Sequence, residues 1–192
     1  LELDTFAGAE AQVAAIADDI AYNSHDIDDG LRAGLFDLDD LADVPLIGPA
    51  IRAVTDAHGD LDRPRLIHAS ISQTIGTMVS DVLSETRRRL AEADVGSPEE
   101  VRALDHPVVA FSPAIQESDR AVKSYLLENM YRHHRVNRMT SKARRVVTQM
   151  FELLFHEPEL LPTEWRARAE AKAEAGRARM IADYIAGMTD RY

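Results

Sequence analysis

Residues 10–34 read EAQVAAIADDIAYNSHDIDDGLRAG, and this stretch decides the fold class. Its apolar residues return after three, four and seven positions, at Val13, Ile16, Ile20 and Ile27. Because an α-helix turns once in 3.6 residues, this spacing places them along one side of a helix. We expect a helix from about Ala9 to Asp29 that stops at Gly30, since glycine is common just beyond a helix end.

The same helical spacing continues through nearly the whole chain. No segment alternates with a period of two for long enough to predict a strand. Further helices are expected at about residues 37–41, 51–57, 63–93, 114–132, 137–156 and 164–188, with a brief one starting at Pro98 after the cap Ser97. Residues 105–113 lie between two X-Pro signals and predict a β-like or irregular connection. The sequence therefore predicts an all-α protein.

Composition limits the class of protein. The chain has 192 residues, of which 45% are apolar, enough for one sizeable core or two small ones. No apolar run approaches the roughly 18 residues of a membrane span, so we expect a soluble protein without a membrane partner. The chain lacks cysteine, which agrees with a cytoplasmic location and excludes thiolate metal sites. Any metal must be bound by histidine and carboxylate groups.

Charge is distributed unevenly along the chain. The net charge is −11, yet residues 1–62 hold 15 acidic residues against Arg32 and Arg52. Residues 119–147 hold eight basic residues against Asp119 and Glu128. An acidic segment that binds a cation and a basic segment that binds an anion would suit an enzyme for metal-bound phosphate esters. Two solvated helix faces of opposite charge are the alternative, and composition alone favours it.

A polar row runs along the first predicted helix. Asp18, Tyr22 and Asp26 stand four residues apart, on the side opposite the apolar stripe. They extend over roughly 12 Å, a length that would span a metal ion, a phosphate and a sugar hydroxyl. The other interpretation is the solvated face of an amphipathic helix, and the residues by themselves leave both open.

Three segments carry a resemblance to a known family. EAQVAAIADDIAYNSHDIDDGLRAGL (10–35) looks like the C-terminal part of the catalytic core of bacterial dGTPase-like deoxynucleoside triphosphate triphosphohydrolases, which are HD-domain proteins. MYRHHRVNRMTSKARRVV (130–147) resembles their Tyr-x-His helix junction, and IADYIAGMTDRY (181–192) resembles their closing helix. Since the three segments span nearly the whole chain, the resemblance implies an HD-type helical bundle, in its C-terminal portion.

The resemblance also implies roles for the polar row. The metal centre of the family uses a histidine, a His-Asp pair and a later aspartate, and Asp18 matches that last aspartate. Tyr22 then matches a contact to the substrate phosphate and Asp26 a contact to the deoxyribose 3′-hydroxyl. The metal would be a divalent ion, with Mg, Mn, Fe and Zn not distinguished. His25 and Asp26 spell "HD" but are not the naming pair, which is expected before Leu1.

The implied reaction converts a deoxynucleoside triphosphate to a deoxynucleoside and inorganic triphosphate. One aspartate does not hold a catalytic metal, so this chain alone is expected to be inactive and the activity is assigned to the full-length protein. His58, His68, His106 and His156 lack ligand-like spacing and are expected at the surface or in packing.

The basic segment is a second candidate region. Tyr131 and His133 resemble positions that line nucleotide sites in the superfamily, and the basic residues around them would neutralise a triphosphate of substrate or regulatory nucleotide. These are Arg132, Arg135, Arg138, Lys142, Arg144 and Arg145. A solvated basic face with intersubunit ion pairs is the alternative. The family also implies a homo-oligomer.

The sequence also predicts two regions of the chain and leaves two rival functions open. Residues 1–104 are expected to be the C-terminal part of the catalytic core, and residues 105–192 a helical region packed on it. The rivals are a non-catalytic helical subunit that either binds nucleic acid, such as single strands, or is regulatory, and an HD-type phosphohydrolase of another nucleotide. Aromatic stacking residues are sparse in the basic segment beyond Tyr125 and Tyr131, which disfavours nucleic acid.

Overall fold

The computed structural model describes residues 5–189, and within that range the protein is all-α, without a strand, as predicted. The α-helices are α1 (Ala9–Ala33), α2 (Ile47–His58), α3 (Arg63–Ala93), α4 (Pro98–Ala103), α5 (Pro113–Leu126), α6 (His134–His156), α7 (Thr163–Glu170) and α8 (Glu174–Ala186). Short 3₁₀ turns lie at Asp39–Leu41 and Pro158–Leu160, and a π-helical turn at Leu127–Tyr131. No helix in the described range is long and apolar enough to cross a membrane.

The chain forms two compact units, one ending at His133 and the other beginning at His134. The first contains α1 to α5 and the π-helical turn, and the second contains α6 to α8. The boundary at His133 separates two regions in which residues contact mainly residues of the same region. The predicted functional division, between residues 1–104 and 105–192, stays a prediction.

Helix α1 does not stop at Gly30, contrary to the sequence prediction. Gly30 is buried within the helix, where a Cβ atom would lie 2.2 Å from Cζ of Phe36. The glycine therefore allows the Phe36 ring to pack against the helix. The helix ends at Gly34, whose φ of 62° is the left-handed conformation that glycine adopts at low cost. The N–H of Leu35 donates to the Gly30 carbonyl at 2.9 Å and closes the end.

The first unit has two apolar clusters, one on each half of α1. The C-terminal half packs into a cluster formed by Ile27, Leu31, Phe36, Leu41, Val44, Ile47, Ile67, Val122 and Leu126. The N-terminal half packs into a cluster formed by Ile20, Met78, Val82, Val101, Val108, Val109 and Phe111. Val13, at the start of the predicted stripe, is 50% exposed and so lies outside this core. Burial on one side of α1 leaves Asp18 and Tyr22 exposed on the other.

The segment between α4 and α5 is irregular, as its proline signals predict. The side-chain oxygen of Gln12 on α1 accepts hydrogen bonds from the N–H groups of Val108 and Val109, both at 3.0 Å. The carboxylate of Asp81 on α3 accepts from the N–H of Ser112 at 2.8 Å. These side chains satisfy backbone donors that have no ladder partner, and they attach the start of α5 to α1 and α3.

The second unit packs α6 and α7 against α8 around a cluster formed by Leu154, Leu161, Ala169, Met180 and Ile181. The single helix predicted over residues 164–188 is in fact two helices. The rings of Trp165 and Tyr184 lie 5.1 Å apart, centroid to centroid. In one straight helix the two residues would stand roughly 28 Å apart. The break after Glu170 therefore allows α7 to fold back on α8 and bury these rings together.

Candidate functional site

The polar row predicted from the sequence lies along α1 in the structure. Asp18 is exposed, Tyr22 is 58% exposed, and Asp26 is half-buried. Exposure thus falls toward the C-terminal half of the helix, where α5 and the π-helical turn pack beside it. The row therefore begins in solvent and ends in a partly enclosed site.

Tyr131 joins this row from the π-helical turn. Its hydroxyl donates a hydrogen bond to the Asp26 carboxylate, and the Tyr22 hydroxyl lies close enough to raise the pKa of Tyr131. The Tyr131 ring packs against the apolar cluster at the end of α1. A π-helical turn inserts extra backbone into a helix and is frequent at functional sites, and this one carries Tyr131 to Asp26. The structure thus brings together three of the residues singled out in the sequence.

The surroundings of Tyr131 keep its phenol protonated. Partial burial raises its pKa, and the hydrogen bond to Asp26 and then the neighbouring Tyr22 hydroxyl raise the pKa further. Ionisation would place two negative charges side by side in a partly desolvated site. Tyr131 is therefore a hydrogen-bond donor throughout the neutral pH range.

A second polar network fixes α5 against α1 beside the row. The Asn23 side chain, buried on α1, donates to the buried carboxylate of Asp119 at 2.8 Å. The ammonium group of Lys123 lies 2.9 Å from Asp119 and 3.1 Å from Asp19. Partial burial lowers the pKa of Lys123, but the bonds to Asp119 and Asp19 outweigh it and the pKa is raised. The network ties the helix that leads into the π-helical turn to the helix that carries the row.

The side chain of Asp18 has no hydrogen bond or ion pair among residues 5–189. In the same range, no three histidine, cysteine or acidic side chains come together in a way that could hold a metal ion. The described residues therefore supply the Asp18 carboxylate as a candidate ligand, but they contain no complete metal site. His58, His68, His106 and His156 are exposed on separate elements or connections, and His106 lies 2.7 Å from the carboxylate of Asp105.

The basic candidates lie in different units. Arg132 is exposed at the end of the first unit, where it pairs with Glu128 at 3.1 Å, and His133 beside it is half-buried. Arg138 is exposed on α6 in the second unit, as are Arg135, Lys142, Arg144 and Arg145. Their predicted contacts with phosphate or nucleotide stay predictions.

Sequence reasoning missed the roles of Asn23 and Asp119. Asp119 and Lys123 are four residues apart, so their ion pair could have been anticipated on a helix. The bond from Asn23 joins residues 96 positions apart, and no local pattern signals it. Both residues are buried polar groups with charged or hydrogen-bonded partners, the condition under which such groups are tolerated.

Comparison with known protein families finds a match for the C-terminal part of the chain. Residues 109–192 match the model of the phosphohydrolase-associated domain. This range contains α5, the π-helical turn with Tyr131, and the whole second unit. The C-terminal part of the chain is thus similar to a domain associated with phosphohydrolases.

Curated relatives extend the similarity to the whole of this chain. The chain is 56% identical over 193 aligned positions to a deoxyguanosinetriphosphate triphosphohydrolase-like protein of Caulobacter vibrioides, covering 100% of this chain and 49% of that protein. Proteins with the same name match all of this chain at 53% identity in Parvibaculum lavamentivorans and 46% in Brucella anthropi, with 48% of each covered. The resemblance to dGTPase-like proteins is therefore confirmed over the whole chain. The chain spans about half the length of these relatives.

Proposed function

We propose that the full-length polypeptide hydrolyses deoxynucleoside triphosphates to deoxynucleosides and inorganic triphosphate, and that this chain supplies part of the substrate site and one metal ligand. The observation that carries the proposal is the convergence of Tyr22, Asp26 and Tyr131 beside Asp18. Relatives named for triphosphohydrolysis of deoxyguanosine triphosphate support it.

Asp18 is the proposed metal ligand. Its carboxylate is exposed and unpaired among residues 5–189, and oxygen donors of this kind suit divalent ions. Because those residues hold no complete ligand set, the remaining ligands are proposed to be the histidine and His-Asp pair that the resemblance places before Leu1. The identity of the ion, whether Mg, Mn, Fe or Zn, is not part of the proposal.

The substrate contacts follow from donor and acceptor character. Asp26 accepts the Tyr131 hydrogen bond through one carboxylate oxygen, and the other oxygen is proposed to accept the 3′-hydroxyl of the sugar. Tyr131 stays protonated and holds the Asp26 carboxylate in one orientation. Tyr22, whose side chain is more exposed, is proposed to donate to a phosphate oxygen. Fixing these groups before substrate binds lowers the entropic cost of reaching the reactive geometry.

The basic residues are proposed as anion contacts outside this cluster. Arg132, His133 and Arg138 would bind phosphate groups of the substrate or of a regulatory nucleotide, in a homo-oligomer of the full-length protein. Support comes from the exposure of Arg132 and Arg138 and from the excess of positive charge around them. Guanidinium groups suit such contacts because they bind phosphate oxygens in pairs.

The test uses the full-length polypeptide. We expect triphosphate release from deoxynucleoside triphosphates, followed by anion-exchange chromatography or phosphorus NMR. Asp18→Ala should abolish turnover and lower the metal content, whereas Asp56→Ala, which removes an exposed carboxylate on α2, should change neither. Release of orthophosphate or pyrophosphate in place of triphosphate would contradict the reaction. Full metal content and full turnover in Asp18→Ala would contradict the site.

A second candidate function is supported by the surface of α6. Residues 137–149 of this helix are all exposed and include Arg138, Lys142, Arg144 and Arg145, as a binding face for single-stranded nucleic acid would require. This candidate predicts binding that weakens steeply with salt and needs no metal. Fluorescence anisotropy with a labelled oligonucleotide at two salt concentrations, with a chelator present, separates it from the hydrolase.

A further inference from the structure

Asp119 on α5 carries a buried carboxylate that is held by α1. The residue is 6% exposed. The amide of Asn23, itself buried on α1, donates to one carboxylate oxygen at 2.8 Å, and the ammonium group of Lys123 lies 2.9 Å from the other oxygen. A carboxylate removed from water is tolerated only while its partners stay in place. The distance between Asn23 and Asp119 therefore has little freedom.

The neighbouring contact between Lys123 and Asp19 is looser. The two side chains are 42% and 59% exposed, and their charged atoms lie 3.1 Å apart. An ion pair in water favours one geometry only weakly, because water replaces the partner of each charge when the pair opens. The hydrogen bond from Asn23 to Asp119 is therefore the polar contact that fixes α5 against α1 at this level of the two helices.

The rest of α5 transmits this position to Tyr131. Beyond Asp119, the side chains of Val122 and Leu126 are buried in the apolar cluster at the end of α1. The π-helical turn that carries Tyr131 continues directly from the end of α5. Because close-packed side chains move together, a rotation of α5 at Asp119 also moves Tyr131.

Directionality separates the bond between Asn23 and Asp119 from the apolar packing around it. Apolar contacts are non-directional and allow small rotations of α5 about its axis, whereas a hydrogen bond weakens steeply when donor and acceptor lose their alignment. On α1, Asn23 and Asp26 stand about 4.5 Å apart along the axis. The bond to α5 and the bond to the turn after α5 are thus adjacent, and the first can set the geometry of the second.

We propose that Asn23 and Asp119 are positioning residues of the candidate site. Their buried hydrogen bond sets the rotation of α5 against α1, and this rotation holds the Tyr131 hydroxyl on the Asp26 carboxylate. The consequence for turnover rests on the proposed function. The coupling between the two hydrogen bonds rests only on the contacts of α1, α5 and the π-helical turn.

An exchange of the two side chains tests the coupling in the full-length polypeptide. Asn23→Asp opposes two carboxylates in the buried site, and adding Asp119→Asn restores one donor and one acceptor without changing the total charge. The probe is 3-fluorotyrosine at position 131, observed by fluorine NMR after circular dichroism confirms folding. We expect the resonance to shift in Asn23→Asp and to return to the parent position in the exchanged variant. Asn23→Ala removes the donor without adding a charge, so it should shift the resonance too and replaces Asn23→Asp if that variant fails to fold.

Glu85→Gln is the matched control. Glu85 is a buried carboxylate on α3, 7% exposed, and its partners Arg88 and Arg89 lie on the same helix. Loss of its charge lowers stability without altering the contact between α1 and α5, so the fluorine resonance should stay in place. A shift as large as that in Asn23→Asp would overturn the proposal, because any loss of stability would then move Tyr131.

Kinetics provide a second measurement. We expect Asn23→Asp to lower kcat for a deoxynucleoside triphosphate about tenfold. When Tyr131→Phe is already present, the further loss should be less than about twofold, because both changes act through the same hydrogen bond. Glu85→Gln should leave kcat within about twofold of the parent. Equal losses with and without the Tyr131 hydroxyl would overturn the proposed route from Asn23 to Tyr131.

The two readouts separate this proposal from the proposed function. An unmoved resonance in folded Asn23→Asp, or a shift that the exchange does not reverse, overturns the positioning role. A shift that the exchange reverses, in a protein that hydrolyses no deoxynucleotide, supports the coupling and contradicts the proposed function. Hydrolysis of deoxynucleotides with an unmoved resonance does the reverse.

Discussion

The hydroxyl of Tyr131 donates a hydrogen bond to the carboxylate of Asp26, across 105 residues of sequence. The bond joins the π-helical turn after α5 to the polar row on α1, and the Tyr22 hydroxyl lies close enough to raise the pKa of Tyr131. Two tyrosines and an aspartate thus form one partly desolvated cluster.

Removing the Tyr131 hydroxyl should lower activity without unfolding the protein. In the full-length polypeptide, Tyr131→Phe leaves the Asp26 carboxylate without its donor, and we expect kcat to fall about 10- to 100-fold through loss of orientation. Tyr125→Phe is the matched control, because the Tyr125 hydroxyl is buried and has no hydrogen-bond partner within residues 5–189. Steady-state kinetics and a melting curve of both variants check the prediction. Equal kcat values for the two variants would remove Tyr131 from the site.

The proposed contact of Asp26 with the sugar can be separated from a structural role. Asp26→Asn replaces a charged acceptor by a neutral one, and we expect kcat/KM for a deoxynucleotide to fall about tenfold. For a 2′,3′-dideoxynucleotide, which lacks the 3′-hydroxyl, the variant and the parent should agree to within about twofold. Asp28→Asn serves as the control, since Asp28 pairs with Arg32. An equal loss on both substrates would assign Asp26 to structure alone.

Gly30 and Gly76 are both helical, and substitution should affect them in opposite directions. Gly30→Ala brings a Cβ atom against the Phe36 ring, and we expect unfolding to require about 1–3 kcal/mol less free energy. Gly76→Ala meets open space on α3 and should stabilise the protein by about 0.5–1 kcal/mol. Urea unfolding of the full-length polypeptide measures both. A neutral Gly30→Ala would mean that Phe36 moves aside freely.

Glu85 should contribute an acid-sensitive part of the stability. Hydrogen bonds from Arg88 and Arg89 lower the pKa of Glu85 to about 2, well below that of a free glutamate. A lowered pKa stabilises the folded state above the pKa of the unfolded chain, and this stabilisation is lost as pH falls from about 4.5 to about 2.

Substitution of Glu85 tests this dependence. Glu85→Gln should cost about 1–2 kcal/mol at pH 7, a loss kept small because Arg88 is half exposed and water screens the pair. Urea midpoints of the variant and parent should converge as pH falls to about 2. Glu92→Gln is the control, since Glu92 is exposed and, within residues 5–189, pairs only with Arg88. A constant difference between variant and parent across this range would contradict the prediction.

Sequence periodicity predicted the helices and the polar row, because both are local. The 3.6-residue repeat located α1 and α3, and Ser97 with Pro98 located the start of α4. The end of α1 was misplaced because glycine serves two purposes: Gly30 admits a neighbouring ring, whereas Gly34 takes the left-handed turn. The local sequence pattern does not distinguish a glycine that admits a neighbouring ring from one that ends the helix. The break between α7 and α8 was missed for a related reason, since it depends on the contact between Trp165 and Tyr184.

The sequence allowed us to name the residues of the candidate site more readily than to predict how they are arranged. Asp18, Tyr22 and Asp26 follow from helical spacing and resemblance, and Tyr131 from resemblance alone. The bonds that unite Tyr131 with Asp26, and Asn23 with Asp119, join residues 105 and 96 positions apart. Pairings of this kind are set by how α5 packs on α1, which no single segment encodes. Two of the four long-range partners, Asn23 and Asp119, therefore escaped notice.

The direction of the Tyr131 phenol depends on the π-helical turn at Leu127–Tyr131. The number of backbone residues in this turn matters more than any one of its side chains. Inserting or deleting one residue there would rotate the phenol by about 100° around the helix axis. Among proteins related to this chain, the length of the turn should therefore vary less than its composition. Leu127 and Asn129, both exposed, are positions where substitutions should accumulate while insertions and deletions are eliminated.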